Sequence, residues 1–153
     1  MIIIGEKING AIPSIKQAIA ERNEALIIER TLAQAAAGAN FLDCAPSTAT
    51  EIEYETMVWL IGLMQGATNV PLCIDSPNAK LLARVIEEGH LNKPGMVNSV
   101  NEEGDKCETI FPLIAGTPWE VVGLTCDQEG IPADPAKKVE IAKRIIDKAV
   151  QYG

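Results

Sequence analysis

The sequence contains one histidine, four cysteines without Cys-x-x-Cys spacing, and no glycine-rich phosphate loop of the GxGxxG or GxxxxGK[ST] type. These absences argue against the common nucleotide-binding motifs and against a Ser/His/Asp or Cys/His catalytic set, since His90 merely follows the end of a predicted helix. Reduced, buried thiols are the favoured interpretation of the cysteines. A metal site built from Cys44, Cys73 and Cys126 is a weaker alternative, so we predict no metal.

Basic residues are also scarce. Thirteen Lys and Arg stand against twenty-one Asp and Glu, which gives a formal net charge of −8, and no dense basic cluster is present. This argues against nucleic acid as a partner. The best apolar run, Met57 to Met64, is far shorter than the roughly 18 residues of a membrane span, and the N-terminus shows no secretory signal pattern. We therefore expect a cytoplasmic protein with neither a nucleic-acid nor a membrane partner.

Five short apolar runs, each ending in a carboxylate or an amide, are the main positive signal. They are Ile2–Glu6, Phe41–Asp43, Leu72–Asp75, Met96–Asn98 and Val121–Asp127. Buried strands that end in polar groups and alternate with helices place those groups on one rim of a parallel sheet, where α/β proteins bind ligands. With 153 residues and 47% hydrophobic content, the chain is sufficient for one globular domain.

The segments between these runs have helical periodicity and recognisable ends. The predicted helices are 24–37 before Gly38, 51–65 before Gly66, one capped by Asn78 and ending near Gly89, 106–115 with Pro112 inside it, and one capped by Asp134 that runs to the end of the chain. Pro13 and Ser14 open a further short turn or helix. The last helix is predicted to bury Val139, Ala142, Ile145, Ile146 and Ala149. This alternation predicts parallel β/α repeats with right-handed crossovers.

Alternation along the strands predicts which polar side chains share a face. Asp75 shares a face with Cys73, Asp43 with Phe41, and Asn98 with Met96. Two acids and an amide are thus aimed at one small volume, with Glu6 at the end of the first strand. The alternative role for each of these residues is to cap a helix or to form a turn. For Asn101 and for Ser47 to Thr50 that alternative is the favoured one. Acceptors with one amide donor suit a flat heterocycle rich in N–H groups better than a phosphate.

Five motifs in the same order resemble the methyltetrahydrofolate:corrinoid protein methyltransferases. They are Ile3-Ile4-Gly5-Glu6-Lys7-Ile8-Asn9-Gly10, Leu42-Asp43, Leu72-Cys73-Ile74-Asp75-Ser76-Pro77-Asn78, Val97-Asn98-Ser99-Val100-Asn101, and Gly123-Leu124-Thr125 followed by Gly130-Ile131-Pro132. These enzymes are pterin-binding TIM barrels, related to the folate module of cobalamin-dependent methionine synthase. The resemblance runs over essentially the whole chain.

The resemblance implies methyl transfer, in a direction not determined, between N5 of tetrahydrofolate and the cobalt of a corrinoid (cobalamin) held by a partner protein. Asp75 and Asn98 match the acid and amide that hydrogen-bond the pterin and are the predicted catalytic residues. Ser99 and Asn101 extend the same loop, and Asp43 and Glu6 complete the predicted pterin-binding set. The full-length enzyme is expected to be a homodimer.

The chain, with 153 residues, is shorter than such barrels, which typically have about 250 residues. We therefore expect residues 1–153 to form about five of eight (β/α) units of a single pterin-binding barrel domain, incomplete at its C-terminus, with weakened pterin binding and little catalysis by itself. Two alternatives are a dihydropteroate synthase-like enzyme and a noncatalytic half-barrel that binds a partner. The first is disfavoured because Lys7-Ile8-Asn9-Gly10 lacks the Asn-Val-Thr-Pro-Asp-Ser-Phe-like loop of that family.

Overall fold

A computed structural model describes residues 1–153 as a five-stranded sheet with six helices. The elements are β1 (Ile4–Gly5), α1 (Pro13–Glu21), α2 (Glu24–Ala36), β2 (Phe41–Cys44), α3 (Thr50–Ala67), β3 (Leu72–Asp75), α4 (Ala79–Glu87), β4 (Met96–Val100), α5 (Lys106–Ile114), β5 (Glu120–Gly123) and α6 (Pro135–Tyr152). All strand pairs are parallel, and the order is β1-β2-β3-β4-β5. The predicted parallel (β/α) architecture of TIM-barrel type is confirmed. No helix combines the length and apolar character needed to cross a membrane.

The two faces of the sheet differ in what covers them. Outer-face side chains such as Leu42, Ile74 and Val97 join the helices in one core of 25 buried residues. The inner face carries a separate, small apolar cluster of Phe41, Cys73 and Met96, with Ile4 and Val122 packed against it. This confirms the predicted alternation, which paired Cys73 and Met96 with the polar residues at the strand ends.

Side chains cap three of the six helices at their N-termini. Asn78 accepts a hydrogen bond from the backbone N–H of Leu81 at 3.2 Å, and Asp134 accepts one from Ala136 at 2.9 Å, as predicted. Helix α3, however, runs through Gly66 to Ala67, and no side-chain hydrogen bond caps its start at Ala49. The predicted hydroxyl cap from residues 47–50 is therefore wrong. Helix α5 continues through Pro112.

Two strand predictions were too long. β1 is limited to Ile4–Gly5, with Ile2 and Ile3 exposed. β5 ends at Gly123, and Asp127 lies in a turn in which its carboxylate accepts the backbone N–H of Glu129 at 3.0 Å. A side chain that satisfies its own turn competes with the strand ladder, which explains the early end.

Helix α6 buries a different stripe from the one predicted. Ile141 and Ile145 are its buried residues, whereas Val139 is 54% exposed and Ile146 is 60% exposed. The prediction was wrong for Val139 and Ile146, because two apolar stripes run along this helix and only one faces the core. β1 and β5 each have a neighbour on one side only.

The loops after β1 and β2 are fastened together at the rim. Gly10 donates its backbone N–H to the carbonyl of Ala45 at 2.9 Å, and a Cβ at Gly10 would lie 2.0 Å from the carbonyl oxygen of Pro46. The Asn9 side chain accepts hydrogen bonds from the backbone N–H of Ala11 and the hydroxyl of Ser47. The Asn-Gly pair of the first motif therefore has a structural role in setting the rim beside the site.

Candidate functional site

The polar residues of the inner face occupy two levels. Asp43 is level with Cys73 and Met96 of the apolar cluster, and Asp75 and Asn98 lie one level above them. Asp75 of β3 is paired in register with Asn98 of β4, at the carboxyl ends of both strands. Asp43 of β2 is paired with Cys73 and so lies about 6–7 Å lower along the strand direction. The structure therefore brings Asp43, Asp75 and Asn98 to one face, with Asp75 and Asn98 side by side at the mouth.

Asp75 and Asn98 line a cavity of about 420 Å³. Its other walls include Ser99 and Asn101 from the end of β4, and Leu124 and Ile131 from the segment after β5. Leu124 and Ile131 are exposed apolar side chains, so the cavity joins polar groups to an apolar wall. This combination is typical of sites for small organic ligands of moderate size.

Asp75 is half-buried and lies in an acidic neighbourhood. Burial is the largest cause that raises the pKa of its carboxyl, followed by the charges of Glu6 and Glu53. A ligand that brings N–H donors to Asp75 would stabilise its ionised form. The electrostatics therefore favour a donor-rich ligand over an anion at this position.

Asp43 is almost completely enclosed, with 1% of its surface exposed. Its Oδ1 atom has no hydrogen-bond partner. Burial raises the pKa of this carboxyl to about 7, and the charges of Asp75 and Glu6 act in the same direction, while the side chains of Asn98 and Cys73 oppose them. Asp43 thus differs from Asp75 in depth and in partners.

The remaining predicted residues have distinct places. Glu6 is exposed just beyond β1 and does not line the cavity, although its charge reaches Asp43 and Asp75. Ser99 lines the cavity where the pairing of β4 with β5 shifts register between Asn98 and Val100. Asn101 is 2% exposed, and its Oδ1 accepts the backbone N–H of Glu103 at 3.0 Å. The turn-forming role weighed for Asn101 is confirmed.

A buried pair that the sequence did not reveal supports the β3–α4 loop. Ser76 donates its hydroxyl to the Glu53 carboxylate at 2.6 Å and accepts the backbone N–H of Asn78 at 3.0 Å. Glu53 comes from α3, 23 residues earlier. Both side chains are buried, so this contact fixes the loop that follows Asp75. The only local signal is the Ser-Pro-Asn turn pattern at 76–78.

A second group missed by the sequence closes the outer side of the cavity. Lys106 lies 3.0 Å from Glu103, and the Asn101 amide donates to the same carboxylate at 2.9 Å. Lys106 is the first cause that lowers the pKa of Glu103 to about 2, and Cys126 and Asn101 contribute. Lys106 is the one cation lining this cavity, and it is already paired with an acid. An anionic group would therefore meet little free positive charge here.

The alternative metal site is not formed. The four cysteines are free and buried, and no three His, Cys, Asp or Glu side chains are arranged to hold a metal ion. His90 lies after α4, where its Nε2 is 2.8 Å from the Tyr54 hydroxyl. Chain direction places this histidine at the opposite end of the sheet from Asp75 and Asn98, because α4 returns from the carboxyl end of β3 to the start of β4.

Comparison with known proteins identifies several relatives. No family model matches the chain. It is 47% identical to a methylcorrinoid:tetrahydrofolate methyltransferase of Eubacterium limosum over 154 residues, which cover 99% of this chain and 56% of that protein. It is also 29% identical over 153 residues to the methionine synthases of Mycobacterium tuberculosis and Mycobacterium leprae, covering 96% of this chain and 13% and 12% of those proteins. The chain thus spans little more than half the length of the first relative. The predicted resemblance to folate- and corrinoid-dependent methyltransferases is confirmed over 96–99% of this chain.

Proposed function

We propose that this chain supplies the pterin-binding part of a methyltransferase that moves a methyl group between N5 of tetrahydrofolate and the cobalt of a corrinoid on a partner protein. The observation that carries the proposal is the pairing of Asp75 with Asn98 at the mouth of the inner face, within one cavity. The name of the relative from E. limosum, which couples a methylcorrinoid with tetrahydrofolate, supports the same chemistry.

The two side chains match the edge of a pterin. The ionised carboxylate of Asp75 accepts two N–H groups, and the amide of Asn98 both accepts and donates. The apolar side chains of Leu124 and Ile131 give the flat ring a surface to lie against. We infer that Asp75 and Asn98 orient the pterin and that the apolar wall excludes water from one of its faces.

The proposed methyl transfer requires positioning and electrostatic stabilisation from the protein and no protein nucleophile. When the partner's corrinoid is reduced, its cobalt provides a strong nucleophile, and N5 leaves well only if it gains a proton or a strong hydrogen bond. Asp75 and Asn98 act by fixing the pterin so that N5 faces the partner. Asp43, Glu6, Ser99 and Asn101 as direct pterin ligands stay predictions, as do the single barrel domain, the cytoplasmic location and the homodimer.

A second candidate function is a noncatalytic half-barrel that binds a partner. The open edges of β1 and β5 favour it, since unpaired parallel edges invite further strand pairing. Pterin binding separates the two candidates, because a purely structural module has no need of the Asp75 and Asn98 side chains.

The test is calorimetric titration with 5-methyltetrahydrofolate. We expect Asp75→Ala and Asn98→Ala each to weaken binding by about 10- to 100-fold, the effect of losing charge-assisted or paired hydrogen bonds. Asp147→Ala and Asn92→Ala, two exposed positions outside the site, are matched controls that should bind as the parent does. Equal affinity of all five proteins would contradict the proposed site. Transfer itself is followed by the change in corrinoid absorbance when a corrinoid protein is added.

A further inference from the structure

Asp43 combines nearly complete burial with a missing hydrogen bond and with acidic neighbours. Its Oδ1 is unpartnered and 1% of its surface is exposed. An ionised carboxylate in such a place loses its hydration, and the Asn98 and Cys73 side chains compensate only part of that loss, so holding a proton is less costly. The pterin ligands proposed above do not need a second charge, because the Asp75 carboxylate already offers an acceptor at the mouth.

The groups that face Asp43 are known from each neighbouring element. Glu6 approaches from the end of β1, Cys73 and Asp75 from β3, and the Asn98 amide from β4, while Cys44 follows it on β2. None of these groups is a cation. Burial raises the pKa of the Cys73 thiol, so this neighbour is a neutral, weak donor. The local environment therefore opposes a negative charge on Asp43.

The position of Asp43 connects its proton to the ligand. It lies one level below Asp75 and Asn98, so a flat ring held by these two residues would cover it. Such a ring removes solvent from the mouth and increases the cost of a second negative charge. Ligand binding and the proton on Asp43 are then coupled.

We propose that Asp43 is a neutral carboxylic acid that acts as a positioning residue, and that the pterin binds to the form of the site in which Asp43 keeps its proton. This rests on the proposed function. The site then presents one carboxylate, Asp75, to the N–H edge of the pterin, while Asp43 supports Asn98 from below without adding charge. Affinity is highest where Asp43 is protonated and falls as pH rises and the proton is lost.

The first measurement tests the proton without any ligand. Infrared difference spectra follow the C=O stretching band of a protonated carboxyl as pH is raised, and the parent is compared with Asp43→Asn. We expect a band that disappears near neutral pH in the parent and is missing in the variant. A band lost near pH 4, the ordinary range of an aspartic acid, would overturn the proposal.

The second measurement tests the coupling. 5-Methyltetrahydrofolate is titrated into the parent, Asp43→Asn and the surface control Asp147→Asn at pH 6 and pH 8.5. We expect the parent and Asp147→Asn to lose affinity by up to about tenfold per pH unit above the transition, and Asp43→Asn to show a much flatter profile. Ionisation of the folate itself affects the parent and Asp43→Asn equally, so it cancels when their two pH profiles are compared.

The outcomes separate the two claims. An equal pH slope in parent and Asp43→Asn would overturn the coupling. Loss of binding by Asp43→Asn at both pH values, with its fold intact by circular dichroism, would show that the carboxyl itself is needed and would also overturn it. If the parent binds no folate at any pH, the proposed function fails instead, and the infrared titration still decides whether Asp43 holds a proton.

Discussion

The outer and inner faces of the sheet differ in what their buried residues contact. On the outer face, Leu42, Ile74 and Val97 join a continuous core with the helices. On the inner face, the small cluster around Phe41 and Met96 reaches the level of Asp43 and ends directly below Asp75 and Asn98. The outer face packs against the helices of the chain, whereas the inner face leaves the Asp43 Oδ1 atom without a hydrogen-bond partner. Such a polar atom lowers stability, and binding sites often contain one.

Two buried carboxylates show this difference most clearly. Glu53, on the helix side, is 6% exposed and accepts the Ser76 hydroxyl at 2.6 Å. Asp43, on the inner face, is as deeply buried but has an oxygen with no partner. Burial alone therefore does not distinguish these two acids, whereas the state of their hydrogen bonds does.

The largest effect is expected from truncating neighbouring residues of β3 that point to opposite faces. Ile74→Ala should destabilise the protein by about 3–4 kcal/mol, because it leaves a cavity in the main core. Cys73→Ala, from an equally buried position on the inner face, removes only a sulfur and should cost about 1 kcal/mol. Urea denaturation of both variants measures the difference. Similar losses would show that the inner cluster contributes as much to stability as the outer core.

The rim loops give the next effect. Gly10→Ala should cost about 2–3 kcal/mol, because its Cβ would meet the Pro46 carbonyl at 2.0 Å and force the two loops apart. Gly62→Ala is the control, since a Cβ at this α3 position meets nothing within 4 Å and should stabilise the helix by about 0.5–1 kcal/mol. Thermal unfolding of the two variants compares them. A neutral Gly10→Ala would mean that the rim loops yield easily.

The proton on Asp43 predicts a stability difference that depends on pH. The folded protein keeps this proton up to about pH 7, while the unfolded chain releases it near pH 4, so stability falls as pH rises between these values. Asp43→Asn has no such proton, so this fall in stability is absent from the variant. Relative to the parent, it should gain about 2.5 kcal/mol between pH 5 and pH 8. Denaturant midpoints at the two pH values give the answer, and a constant difference would contradict an elevated pKa.

The parallel architecture and the sides of the strands were predictable because both depend on local patterns. Apolar runs separated by capped helices define a β/α repeat, and alternation with period two put Asp43, Asp75 and Asn98 on one face. Alternation does not give the level of a residue, which depends on the register between strands. The depth of Asp43 below Asp75 and the shift after Asn98 were therefore visible only in the structure.

Two features that sequence patterns did not give depend on contacts between distant segments. The stripe of α6 that is buried depends on where β5 and α5 lie. For this reason Ile141 is buried, whereas Val139 and Ile146 are exposed. The Glu53–Ser76 contact joins α3 to the loop after β3, so no local motif reports it. Asn101, in contrast, was predictable as a turn former because its partner Glu103 is two residues away.

The smallest effect tests the structural acid itself. Ser76→Ala removes the hydroxyl that Glu53 depends on and should cost about 1–2 kcal/mol, since the carboxylate is left buried with one partner fewer. The double variant Ser76→Ala, Glu53→Gln should recover part of this loss, because a neutral amide tolerates the burial better than an ion. The cycle is read by urea denaturation at pH 8, above the pKa of about 7 of Asp43, in the parent and in every variant. If the double variant is no more stable than Ser76→Ala, then Glu53 does not rely on Ser76, and the contrast between a satisfied and an unsatisfied buried acid would disappear.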